Sequence, residues 1–224
     1  MERYHSQGIK VLLTAFGPGD NPTKQNPKKL AYLIGFFVQK YELDGVNIEW
    51  CHDRSLLQGK AEKWLNSFSK HLKNLMPKGL IIHSPKASYF DERIYRKGGY
   101  SLVNKLIGSH IDFYNVKYYR DRSDYDNYFR IFESSSQSKK GGVAVKELIA
   151  KGIPSEKIVV GKPLAENVGG WVKEQYLGLA LAKAYYNFGW FAGVGMWEYF
   201  DDFSNRKIKK VAGQLEKVCR SECQ

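Results

Sequence analysis

The stretch Leu43-Asp44-Gly45-Val46-Asn47-Ile48-Glu49-Trp50-Cys51 decides how this chain is read. It is a short, largely apolar run opened by Asp-Gly, and Gly45–Trp50 reads as a strand. The period of two along a strand puts Asn47, Glu49 and Cys51 on one of its faces. Similar runs recur on either side, at Ile9–Phe16, Gly79–His83, Phe113–Tyr119, Lys157–Gly161 and Gly193–Tyr199. Between them lie longer segments with helical periodicity. In Lys28–Tyr41, Leu30, Leu33, Ile34, Phe37 and Val38 fall on one stripe. Ala61–Leu75, Tyr100–Ile107, Val143–Ala150 and Trp171–Tyr186 follow. Arg206–Cys219 closes the series, with Ile208, Val211, Ala212, Leu215 and Val218 in register. Gly and Pro punctuate the joints, as in Phe16-Gly17-Pro18-Gly19 and Lys151-Gly152-Ile153-Pro154.

Six strand–helix units predict an α/β fold, a parallel sheet with helices outside it. An open doubly wound sheet and a (β/α) barrel both fit that pattern. A complete eight-unit barrel typically needs about 250 residues, with about 200 a lower bound, and this chain has 224. No break in composition marks a second domain, so residues 1–224 are expected to form one. The longest polar stretch, Arg120–Gly142, follows a strand, on the face where barrels and open sheets bind ligands.

Composition narrows the function classes. Hydrophobic residues at 43% and charged residues at 26% are ordinary globular usage. No apolar run reaches the roughly 18–20 residues of a membrane-spanning helix, and MERYHSQGIK has no apolar core of a secretory signal. The compartment stays open. The net charge of +12 favours polyanions in general. Three cysteines are too few for a disulfide framework, and Cys219 and Cys223 would pair only if the last helix frayed. The five histidines show no metal-ligand spacing with the cysteines, so neither a metal site nor a cofactor is expected.

Residues 43–51 resemble the signature strand of glycoside hydrolase family 18, the chitinase family, which reads D-G-x-D-x-D-W-E at the end of barrel strand four. Five further segments agree in order. Gly8–Thr14 resembles strand three, although Phe16 replaces one of its glycines. Ser84-Pro85-Lys86-Ala87-Ser88-Tyr89 resembles the A-P-Q segment of strand five. Ile111–Tyr119 resembles strand six with its inward tyrosine, and Lys157–Pro163 resembles strand seven. Gly193–Glu198 resembles strand eight with its floor tryptophan. The resemblance implies an incomplete TIM-type (β/α) barrel of about six parallel strands and outer helices, because nothing before Gly8 corresponds to strands one and two. An open barrel edge would expose unpaired backbone groups and invite homo-oligomers.

The same resemblance exposes a chemical departure. Family members use substrate assistance: the N-acetyl oxygen attacks the anomeric carbon while one glutamic acid protonates the leaving oxygen. By the register of Asp44, Gly45 and Trp50, the acid position holds Cys51, and the aspartates that tune the acid become Asn47 and Glu49. A thiol, with a reference pKa of about 8.5, is a poor replacement for that acid. Lysines accompany the change. Lys117 stands where relatives carry Met or Gln, Lys86 where plant-type relatives carry Gln, and Lys162 where leucine is usual. A lysine inside a barrel needs a partner. Glu49 is the obvious one, and an anion site or a Cys51 thiolate beside Lys117 are the sharper alternatives. Tyr119 and Trp197 are what the resemblance leaves of a sugar site, the tyrosine for the acetamido group and the tryptophan as an apolar floor. Ordinary barrel packing would also explain both.

The expected function is therefore that of a chitinase-like protein without a catalytic residue, which retains binding of chitooligosaccharides through Tyr119, Trp197, Glu49, Lys117 and Lys86. The alternatives are an active hydrolase with a rearranged acid, Glu49 or Glu198, and a basic polyanion-binding module. The last rests on Arg206, Lys207, Lys209, Lys210, Lys217 and Arg220, which read more simply as the solvated face of the final helix. No phosphate loop or nucleic-acid-binding motif supports a nucleic-acid partner.

Overall fold

The computed structural model describes residues 1–121, 125–136, 141–198 and 206–221, with side chains of the last helix as far as residue 217. Six strands form one parallel sheet in the order β1 to β6: β1 Leu12–Ala15, β2 Gly45–Ile48, β3 Leu80–His83, β4 Phe113–Lys117, β5 Ile158–Pro163 and β6 Val194–Trp197. The helices are α1 Glu2–His5, α2 Pro27–Lys40, α3 Asp53–Leu57, α4 Lys60–Leu75, α5 Gly99–Ile107, α6 Val145–Ala150, α7 Glu174–Phe188 and α8 Lys207–Ser221. Strand order matches chain order and every connection carries a helix, which is the arrangement of an incomplete TIM-type barrel. The six expected strands and six expected helices are all present, with ends shifted by a few residues. The short α1 and α3 were not expected, because four or five residues cannot display a helical period.

The chain divides into two compact units. The first, 1–85 with 89–114, holds β1 to β3 and the start of β4. Its register is set by Gly45. A Cβ there would lie 2.1 Å from the carbonyl oxygen of Leu80, so only glycine lets β2 approach β3. Trp50 is fully buried and meets Phe16 and Trp64, and both of these rings pack on Phe68, an aromatic core to which α4 contributes Trp64 and Phe68. Helix α2 begins on Asn26, whose Oδ1 accepts the N–H groups of Lys28 and Lys29, with Pro27 in the first turn. It buries Ala31, Gly35 and Val38 and leaves Tyr32, Leu33, Phe36 and Phe37 exposed.

The second unit, 86–88 with 115–224, holds the end of β4, then β5 and β6. Two glycines make room at its centre. A Cβ on Gly161 or Gly195 would meet Asn115 Oδ1 at 2.8 or 2.5 Å, so the β4 amide fills the space both leave. Trp190 is buried and donates from Nε1 to the carbonyl of Ile158, and Phe132 packs against it and Phe188. Within the expected loop Arg120–Gly142, a π-turn at Phe129–Glu133 buries Ile131 and Phe132, so this part packs as core. Helix α8 lies on α7, with Gly178 beneath Gln214 and Val211 buried. Three expectations for α8 are corrected. Ile208 and Ala212 are exposed, and Lys207 is buried, its ammonium donating to the Leu164 carbonyl at 2.6 Å. The side chains of Cys219 and Arg220, and all of Cys223, lie outside the described residues.

Candidate functional site

The signature strand divides its polar residues between two jobs. Asp44 lies at the start of β2, not at its functional end. Its carboxylate accepts the N–H of Val11 at 2.8 Å and meets His5 at 2.9 Å and Lys10 at 3.1 Å. The Val11 hydrogen bond, with help from His5 and Lys10, holds the Asp44 carboxyl down at about 2. Asp112 repeats the device one strand on from β3, accepting the N–H of Ile81 at 2.7 Å. Asp44 therefore ties the start of β1 to β2.

Asn47 is the middle of a chain of polar contacts. Ser84 donates from its hydroxyl to Asn47 Oδ1 at 2.7 Å, and Asn47 Nδ2 donates to Thr14 Oγ1 at 3.3 Å. The amide so links β1, β2 and the end of β3, where an aspartate would accept only. Beyond the strand's end, Cys51 and Glu49 share a face as strand alternation requires. The Cys51 Sγ lies 3.8 Å from Glu49 Oε1, and both residues are half-buried. Immediately after them Asp53 accepts a short hydrogen bond from the hydroxyl of buried Tyr89. Burial first, and then the Asp53 carboxylate, push the Tyr89 hydroxyl far above its ordinary range. Tyr89 is thus a committed donor in the first unit. This pair escaped the sequence reading, because nothing in the spacing of Asp53 and Tyr89 marks them as partners.

The second unit collects the aromatic and basic residues. Tyr119 and Trp197 stack with ring centroids 6.1 Å apart and planes 21° from parallel. Over the Trp197 ring lies the Arg120 guanidinium, 4.4 Å from its centroid. Arg120 was not singled out from the sequence. Its backbone is left-handed, with φ 47°, and its N–H donates to the Gly169 carbonyl at 3.0 Å. Lys86 and Lys117 form a parallel backbone bridge, which sets the two lysines side by side. Lys117 is 6% exposed and Lys86 half-buried. Alternation along β4 puts Lys117 on the face of Asn115.

Lys162 does not join them, which corrects its reading as an inward residue. Its neighbour Gly161 faces Asn115 and the Lys117 backbone, so alternation turns Lys162 to the opposite face. The fully buried ammonium donates to the carbonyls of Tyr118 at 3.1 Å and Tyr125 at 2.6 Å. Burial brings its pKa down to about 7. A separate cleft of about 580 Å³ in this unit, lined by Tyr128, Trp171, Tyr176, Leu179 and Lys183, shares no residue with the Tyr119–Trp197 pair. Among the described residues, no group of three or more His, Cys, Asp or Glu side chains could hold a metal ion, and no helix is long and apolar enough to cross a membrane.

No protein-family model matches the chain, and a search of curated proteins finds no match. Solved structures do resemble it. A family 18 chitinase from Pseudoalteromonas aurantia superimposes with a TM-score of 0.78 at 23% identity, over 94% of this chain and 77% of that one. YKL-39, solved in the presence of chitooligosaccharides, gives a TM-score of 0.68 at 12% identity, over 94% and 82%. A tamarind chitinase-like lectin gives 0.55 at 15% identity, over 92% and 74%. Identities this low establish architecture, and the fold of this chain is the one shared by the glycoside hydrolase family 18 chitinases and chitinase-like proteins.

Proposed function

We propose that this chain is a chitinase-like protein of family 18 that binds N-acetylglucosamine oligomers and does not hydrolyse them at a chitinase's rate. The observation that carries the reading is the thiol of Cys51 beyond the end of β2, where the family resemblance places the acid. A general acid contributes roughly 10²–10⁴-fold, and a thiol is both a weak donor and a shorter reach. Asn47 supports the same reading, since its amide is engaged with Thr14 and Ser84 and carries no charge to tune a neighbouring acid.

Binding is supported by the stacked Tyr119 and Trp197, which offer aromatic surface with a polar edge to a sugar ring. Among proteins of this fold, one was solved with chitooligosaccharides and another is a lectin by name. The test pairs binding with turnover. Chitotetraose is titrated into the wild type and Trp197→Ala by calorimetry, and a fluorogenic chitotriose substrate is offered to the wild type and Cys51→Ser. The reading expects binding that weakens at least about tenfold in Trp197→Ala, roughly 1.4 kcal/mol, and no turnover by either protein. Turnover that survives in Cys51→Ser assigns the acid to a group other than the thiol, with Glu49 and Glu198 the candidates, and overturns the reading. Turnover lost in Cys51→Ser assigns chemistry to the thiol and overturns it equally.

A further inference from the structure

Helix α7 carries a stripe in which large apolar side chains stay exposed. Tyr176, Leu179, Ala180 and Lys183 stand three or four residues apart and so share one face of the helix. Tyr176 is 59% and Leu179 46% exposed. With the half-buried Trp171 just before the helix, this stripe lines the cleft of about 580 Å³, and Asp126, Asn127, Tyr128 and Ile131 line it from the π-turn segment. A concave, mostly apolar space of this size with a few polar groups is what a small-molecule site offers. Two lysines give it a sign. The Lys183 ammonium lies 4.5 Å from the Tyr128 ring centroid. Tyr128 is itself fixed: its hydroxyl donates to Glu133 Oε1 at 2.6 Å and accepts from Asn187 Nδ2 at 2.9 Å, and its ring stacks on Phe132. It therefore holds an ammonium at the cleft without neutralising it. Lys173, at the start of α7, is the second cation of the lining.

Neither lysine forms an ion pair among the described residues, and the acids around them are engaged elsewhere. Glu133 accepts the Lys146 ammonium at 2.6 Å as well as the Tyr128 hydroxyl. Asp126, the acid of the lining, accepts from Asn127 Nδ2 at 2.8 Å, and its charge acts on the buried Lys162 ammonium. Glu174 lines the neighbouring cleft toward α8 instead, together with Lys210 and Lys217. From this arrangement we infer that the cleft beside α7 is a ligand site in its own right, and that it takes a small aromatic carboxylate. The ligand ring lies against Trp171 and Tyr176, and its carboxylate meets Lys183. Two aromatic side chains favour a flat ring, which packs on them offset or edge-on. A carboxylate returns a charge-assisted hydrogen bond to the ammonium, whereas a neutral ligand only covers the charge and an amine is repelled by it. The inference does not depend on the sugar-binding reading.

The probes are indole-3-acetate, indole-3-acetamide and tryptamine, which share one ring system and are anionic, neutral and cationic, with octanoate as a carboxylate that has no ring. Each is titrated calorimetrically into the wild type, Lys183→Gln, Tyr176→Ala, Trp197→Ala and a surface control, Lys209→Gln. The wild type is expected to bind indole-3-acetate with a Kd below about 1 mM, and at least about tenfold more tightly than the other three probes. Lys183→Gln weakens indole-3-acetate about tenfold, the effect of losing one hydrogen bond to a charged group, and leaves indole-3-acetamide unchanged. Tyr176→Ala weakens both indoles alike, and Trp197→Ala and Lys209→Gln change neither. Indole-3-acetamide or tryptamine bound as tightly as indole-3-acetate overturns the inference, and so does octanoate bound as tightly. Binding of indole-3-acetate that survives in both Lys183→Gln and Tyr176→Ala, or that is lost in Trp197→Ala alone, places the ligand elsewhere and overturns it. Binding of none of the probes overturns it as well, and leaves the sugar-binding reading untouched.

Discussion

Replacing Lys162 with methionine tests the buried ammonium of β5 through the pH dependence of folding. The wild-type group has its pKa lowered from 10.5 to about 7, with burial the dominant cause. In the unfolded chain it keeps a proton up to about pH 10.5, and in the folded chain it gives it up near pH 7. Between those values the unfolded state binds more protons, so stability rises with pH. The full difference corresponds to roughly 5 kcal/mol, of which about 3 kcal/mol falls between pH 6.5 and pH 9.5. Methionine removes this dependence and leaves the carbonyls of Tyr118 and Tyr125 without their donor. That loss is about 1–3 kcal/mol for each carbonyl, so the absolute stability of the variant stays within a few kcal/mol of the wild type. The slope is the sharper readout. Urea unfolding at about pH 6.5, 8 and 9.5 should show the wild type gaining about 3 kcal/mol relative to Lys162→Met. Parallel pH profiles for the two proteins would refute the reasoning.

Three further outcomes follow from the same structure. His83 is fully buried between Ser69 and Tyr100 with its pKa lowered to about 3 by burial, so the wild type should lose up to about 1.4 kcal/mol per pH unit as pH falls below 6.5, and His83→Gln should flatten that limb in acid titrations of stability. Gly45→Ala places a methyl 2.1 Å from the Leu80 carbonyl, in backbone that cannot move aside, and should cost about 3 kcal/mol or more in urea unfolding; a loss under about 1 kcal/mol contradicts the register given for β2 and β3. Tyr32, Leu33, Phe36 and Phe37 expose roughly 400 Å² of α2, half of what each partner of a standard interface buries, so light scattering should show weak, concentration-dependent self-association that Phe36→Glu removes; a constant monomer mass in both proteins contradicts it.

Much of the architecture was legible because period and punctuation agree. The runs around Val46, Ile81, Val116 and Val160 are short, and each is followed by a longer segment that buries one stripe, so parallel strands with helices outside them follow from the pattern. Alternation also carried real information about the candidate site. It placed Glu49 beside Cys51, where the structure has Cys51 Sγ 3.8 Å from Glu49 Oε1. Lys162 was misread although the same rule would have placed it correctly. Gly161 faces Asn115, so its neighbour Lys162 must face away. Arg120 could not have been read. Its place over Trp197 depends on a positive φ at a residue that seldom adopts one and on an anchor at Gly169, and neither leaves a mark in local sequence. Lys207 is similar: its position in a basic helix suggests solvent, while tertiary packing brings its ammonium to the Leu164 carbonyl.

The central claim is that this chain holds N-acetylated oligosaccharides without cleaving them, and one nuclear magnetic resonance experiment addresses both halves. Chitotetraose is incubated overnight with the purified protein, saturation transfer reports contact with the sugar protons, and the one-dimensional spectrum reports whether the tetramer survives. The account predicts transfer to the acetyl and ring protons, loss of that transfer in Trp197→Ala, and an intact tetramer throughout. Chitobiose accumulating with the wild type and with Cys51→Ser would contradict it, and so would an intact tetramer that never receives saturation.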